Sequence, residues 1–268
     1  MPDQIVRTKT PEERELDSKL VELAILEEEL AQREMQLTTL QAELKAFELR
    51  YLSVVGSRLA KLDGITARIA EVLVLLNPSD DTVKECADRA RKEAWRSAYA
   101  AGSARAEPEE LLRFKPSERL RTLYRELAKL VHPDLTSDER ERARRTPLMA
   151  EVNAAYQAGD EARLEAIGRD WTQRPESVKG EDVAARLVRA IRKISQLTVR
   201  LAAIDAEISQ MEGSDTYRLR TQAEVAENDG GVLLNEMAAE LDEDIAARQS
   251  QLDDLEAELS GREERDRG

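Results

Sequence analysis

The sequence predicts an all-α chain in which a small helical domain is flanked by long coiled-coil helices. Three observations carry that expectation. Charged residues make up 36% of the 268 positions and aromatics only 3%, so few large side chains exist to fill a wide core. Ala, Glu, Lys, Leu and Arg supply more than half the chain, the composition of long helices. Leucine, or leucine alternating with isoleucine, recurs every seven residues in two separate stretches, the spacing of a helical seam.

Residues 1–10 are polar and expected to be disordered. The first coiled coil is expected over 11–76. Leu16, Leu23, Leu30, Leu37, Leu44 and Tyr51 occupy one heptad row, and Leu26, Leu40, Phe47 and Val54 the matching row. Lys19 and Arg33 interrupt the second row. The register then slips by one residue and continues through Leu52, Val55, Leu59, Leu62, Ile69, Leu73 and Leu76. Such an apolar stripe cannot stay in water, so it must pack on another long helix, either the C-terminal arm or a second copy.

Asn77-Pro78-Ser79-Asp80 ends this helix, and a connecting helix follows over 79–102. Val83, Ala87, Ala90, Ala94 and Ala98 give it a narrow small-residue stripe, with Gly102 as its expected stop.

The small domain is expected over 107–174. Leu120, Leu123, Tyr124, Leu127, Leu130 and Val131 recur at three- and four-residue spacing and define one apolar helix face. Ser117 is placed to cap that helix. Arg121, Arg125 and Lys129 form a basic row beside the face. Pro133 lacks an amide donor and pushes His132 out of helical geometry, so the helix stops in a sharp His132-Pro133-Asp134 turn. That turn is polar and carries no apolar periodicity, so it is expected to be exposed. Thr146-Pro147 is the expected start of a second helix over 147–158, with Met149, Val152 and Tyr156 inward. Gly159 closes it and Asp160 caps another helix that turns Leu164, Ile167 and Trp171 inward.

The run L-R-T-L-Y-R-E-L-A-K-L-V-H-P-D-L, followed by M-A-E-V-N-A-A-Y, resembles helix II, the HPD loop and helix III of the J domain, the Hsp70-stimulating module of DnaJ-type co-chaperones. The likeness covers about Ser117 to Trp171. It implies a DnaK-type Hsp70 as partner, with His132, Pro133 and Asp134 at the contact. By the same resemblance Arg121, Arg125 and Lys129 supply steering and orientation, and Tyr124 and Tyr156 hold the two helices together. Glu126 stands where many J domains carry a base. No Tyr-x-x-Leu-Gly segment marks a helix I; Glu109-Glu110-Leu111-Leu112 or the helix ending near Ala101 could stand in its place. The rival expectation is a coiled-coil scaffold whose J-like module does not act on an Hsp70.

Beyond Gln173-Arg174-Pro175 a C-terminal arm is expected over 180–260, with a polar tail over 261–268. Leu187, Ile194, Leu201 and Ile208 form one heptad row; Val183, Ala190, Leu197, Ile204 and Met211 form the other. Gly213-Ser214-Asp215 and Asp229-Gly230-Gly231 break the arm into pieces. The arms are expected to serve oligomerisation, as in a homodimer, or capture of a client that the sequence does not name.

The net charge of −14 is uneven: Arg113–Arg145 carries ten basic and six acidic residues, whereas Asp205 to the end carries nineteen acidic and six basic. An acidic arm repels phosphate backbones, so nucleic-acid binding is not expected. One His and one Cys, far apart, make a zinc site unworkable, and neither a P-loop nor a G-x-G-x-x-G run is present. The expectation is therefore no catalysis, no cofactor and no metal. No run approaches the length of a membrane span and the chain opens without a signal peptide, so the expected compartment is the cytoplasm.

Overall fold

The computed structural model describes residues 9–105, 114–136, 138–172 and 183–267. Among them the chain is all-α, with no strand. The helices are α1 (Pro11–Tyr51), α2 (Ser57–Leu76), α3 (Asp81–Arg105), α4 (Glu118–Val131), α5 (Glu139–Gln157), α6 (Glu161–Thr172), α7 (Val183–Glu212), α8 (Asp215–Asn228) and α9 (Leu233–Arg267). A π-helical segment, Leu52–Gly56, joins α1 to α2 and makes one helix of 66 residues. Within it the Ser57 amide reaches back five residues to the Leu52 carbonyl. That one extra residue is the physical form of the one-residue slip in the heptads.

The chain forms two compact units, one built from the chain up to Glu43 with Phe114–Ser214, the other from the remainder. In the first, α1 pairs with α7. Leu23, Leu30 and Leu37 are buried with Leu197, Leu201 and Ile204. Glu27 pairs with Lys193 and Glu34 with Arg200, so the two helices run parallel. The leucine stripe therefore finds its cover inside the chain. A fully buried leucine such as Leu30 contributes about 1.5–3 kcal/mol.

In the same unit α4 and α5 form an antiparallel hairpin on which α6 closes. Tyr124 donates to Asn153 near its middle, and Arg145 donates to the His132 carbonyl at the turn. The core contains Leu120, Tyr124, Leu127, Val131, Met149, Val152, Tyr156, Leu164, Ile167 and Trp171. The Tyr124 and Tyr156 rings lie 4.7 Å apart. Ser117 caps α4 by accepting from the Leu120 amide. Gly159, at φ 70°, adopts the left-handed conformation that ends α5.

In the second unit Ile65, Ile69, Val72 and Leu76 of α2 pack on Ile245 and Leu252 of α9. Arg58–Asp242 and Arg68–Glu256 show that this pair is parallel too. Arg91 of α3 reaches back to Glu71 of α2, and Phe47 and Val55 pack with Ala223 of α8 and Leu234.

Several boundaries differ from expectation. Helix α5 begins at Glu139, not Pro147, because the Asp138 carboxylate caps the Arg140 amide first. Pro147 then lies inside the helix, one residue after Thr146, whose hydroxyl donates to the Arg142 carbonyl. Helix α3 runs through Gly102 to Arg105, and its inward stripe ends on buried Ala101 while Ala98 faces water. The expected polar tail is helical through Arg267. Glu109–Leu112 lies outside the described residues.

Candidate functional site

The site is built at the end of α4. Pro133–Leu135 forms a single 3-10 turn, so His132 sits between two helical segments with an extended backbone. Its ring is thereby turned inward. His132 is 3% exposed, and the expectation of an exposed turn fails at this residue. Pro133 and Asp134 are half-buried.

Both ring nitrogens of His132 are engaged. Nδ1 accepts from the Asp134 amide at 3.1 Å. The ring proton therefore resides on Nε2, which donates to Glu34 Oε1 of α1 at 2.9 Å. Glu34 is itself 4% exposed, and Arg200 of α7 donates to the same oxygen at 2.8 Å. Burial alone raises the Glu34 carboxyl, but the hydrogen bond from His132 and the Arg200 guanidinium outweigh it and hold the group below its usual range. Buried Glu34 of α1 thus joins the buried His132 at the end of α4 to the half-buried Arg200 of α7.

The next residue extends the contact. Leu135 is buried in the seam between α1 and α7, among Leu30, Leu37, Leu197 and Ile204. One turn before His132, Lys129 pairs with Glu28 of α1. Further along, Thr38 of α1 donates to the Tyr124 phenol, whose proton goes to Asn153, and Thr39 bonds the Tyr156 hydroxyl. Ala31 and Met35 complete the α1 surface that lies on the hairpin core.

The six residues marked in the sequence are therefore divided by the fold. His132 and Lys129 are tied to α1. Asp134 keeps its side chain 30% exposed, with Oδ2 3.9 Å from His132 Nδ1. Arg121 pairs with Glu118 of its own helix, and Arg125 contacts Thr122. Sequence reasoning missed Glu34, Arg200 and Leu135. The first two were legible as heptad flanking positions of opposite charge, since Glu27/Lys193 and Glu34/Arg200 repeat seven apart on both helices.

Chemically the arrangement orients and buries a histidine. Among the described residues no three His, Cys, Asp or Glu side chains converge as metal ligands, and no helix is long and apolar enough to cross a membrane. No protein-family model matches this chain, and neither a curated protein nor a solved structure does.

Proposed function

We infer that the chain is a J-type co-chaperone that binds a DnaK-type Hsp70 and stimulates its ATP hydrolysis. The observation that carries the reading is the α4–α5 hairpin with His132-Pro133-Asp134 at its joining turn. Asp134 is accessible there, and Arg121 and Arg125 lie along the helix leading to it. On this reading Asp134 supplies the charged contact, Pro133 fixes the turn, and the arginines raise the encounter rate with an acidic partner surface. The fold is then a J-like hairpin joined to parallel long helices. Helix α1 covers the face of that hairpin, so it does packing work that the missing helix I segment leaves undone. The proposed compartment is the cytoplasm, where its partner works. The client is left to whatever the outer helix faces recognise, and the observed seams pair within one chain.

A second reading has its own support. Burial of His132 under Glu34 makes the turn a structural joint, as a scaffold without an Hsp70 partner would have it. One experiment separates the two. Steady-state ATP hydrolysis by a DnaK-type Hsp70 is measured while the full-length chain is titrated to high concentration. Saturable stimulation that disappears in Asp134→Asn supports the co-chaperone. Identical rates for wild type and Asp134→Asn at every concentration support the scaffold.

A further inference from the structure

The basic and imidazole groups at the end of α4 already have carboxylate partners, and these come from the chain itself. Glu28 takes Lys129 at the surface and Glu34, six residues farther along α1, takes His132 in the interior. Arg200 neutralises Glu34 from the other side, while Leu135 is held in the apolar seam that α1 forms with α7. A partner that reads Lys129 and His132 must offer acceptors where Glu28 and Glu34 now sit. The single Nε2 proton of His132 cannot serve two acceptors at once, and at Lys129 a partner carboxylate competes with Glu28 for one ammonium. Around this contact Asp134 and the two arginines farther up α4 are half-buried, and Lys129 stands at the surface beside Glu28.

We propose that α1 and α7 clasp the 132–135 turn, and that an acidic partner surface gains full access only when Glu28 and Glu34 let go of Lys129 and His132. The clasp rests on the co-chaperone reading for the identity of that partner. It adds that α1 is a built-in competitor, so the chain has a closed form of low affinity and an open form of high affinity. A ligand's apparent affinity falls by the fraction of molecules in the binding-competent form, so a turn open in about one molecule in ten weakens binding about tenfold. Any agent that draws α1 or α7 away, such as a client seated on the long helices, would then switch the chain on.

The test compares the wild-type chain with the Glu28→Ala/Glu34→Ala chain, each also carrying Asp134→Asn as a control. Half-maximal stimulation of a DnaK-type Hsp70 is read alongside hydrogen exchange at the Asp134 amide, which His132 protects only while its ring is held. The released chain should reach half-maximal stimulation at about one-tenth the wild-type concentration. Its Asp134 amide should exchange faster, and Asp134→Asn should abolish stimulation in both. Equal half-maximal concentrations despite faster exchange would overturn the clasp and leave the co-chaperone reading intact. Absence of stimulation in both chains, with the amide freed, would overturn both. If the double variant loses helicity, Glu28→Ala alone decides the matter: this surface change should lower the half-maximal concentration, and no shift counts against the clasp.

Discussion

Glu34 and His132 lie 98 residues apart in sequence and share a buried hydrogen bond of 2.9 Å. The bond joins a coiled-coil flanking position to the turn that ends α4. Neither partner reaches water, so each depends on the other and on Arg200. The predictions below start from that dependence.

The first concerns pH. The folded protein holds the Glu34 carboxyl below its ordinary value of 4.5. A carboxyl with a depressed folded value contributes stability above its unfolded value, and that contribution is lost as pH falls through the folded one. At neutral pH Glu34→Gln should therefore lower stability, by about 1–3 kcal/mol for a hydrogen bond to a charged group. Below about pH 4.5 the difference should shrink, because the carboxyl of the unfolded chain takes up its proton first and the folded one only at lower pH. Melting curves of both chains across the acid range check this; a constant difference down to pH 3 would contradict it.

The second concerns the hairpin core. Tyr156 is fully buried, packs at a tilt against Tyr124 and bonds Thr39 through its hydroxyl. Tyr156→Ala should cost about 3–5 kcal/mol by leaving an unfilled cavity. Tyr156→Phe should cost only about 1 kcal/mol, the net worth of one hydrogen bond. Denaturant unfolding of the three chains separates these outcomes.

The third concerns the π-helical segment. Ser53 is exposed within Leu52–Gly56 and stands beside the extra residue that shifts the register. Deleting Ser53 should restore an unbroken α-helix with the apolar rows of both halves in line. Deleting Arg68, exposed in the middle of α2, should instead rotate the residues beyond it by about 100° and misplace Val72 and Leu76. Helicity and melting temperature should fall much further for the second deletion than for the first.

What was legible in the sequence follows from how apolarity is spaced. Leu23, Leu30 and Leu37 and the α7 rows were plain because large apolar side chains recur on one face. Their mutual pairing was not, since heptads specify a seam without saying which helix fills it. The second face of α1 was hidden for a different reason. Ala31, Glu34 and Thr38 are all buried, but they are small or polar and give no hydrophobic period. Leu135 belongs to no apolar period, yet this single apolar residue after Asp134 anchors the turn in the seam. The start of α5 was missed because Thr146-Pro147 is a stronger textual signal than Asp138, although Asp138 caps the helix. The motif marks the turn, while the burial of His132 depends on contacts from helices about 100 and 70 residues away, beyond the reach of any local pattern.

The last prediction separates two neighbours in the turn. His132 is buried and bonded at both nitrogens, so it belongs to the fold as well as to the motif. His132→Gln cannot span both partners with the same geometry and should cost about 1–3 kcal/mol by leaving Glu34 short of a donor. Asp134 has an accessible carboxylate 3.9 Å from the ring, and its structural bond is made by its backbone amide, which substitution leaves in place. Asp134→Asn should therefore keep stability within about 0.5 kcal/mol of wild type, the usual range for a surface change. Yet on the co-chaperone reading it removes the charge that engages the Hsp70, so stimulation should vanish at every concentration. Arg125→Ala should do neither. It removes a steering charge, so it should slow association at low salt, with the difference from wild type fading as ionic strength rises. Thermal melts, ATPase titrations and association rates at two salt concentrations distinguish the three variants. Equal destabilisation by His132→Gln and Asp134→Asn would show that the turn acts as one structural joint, and the scaffold reading would then account for it.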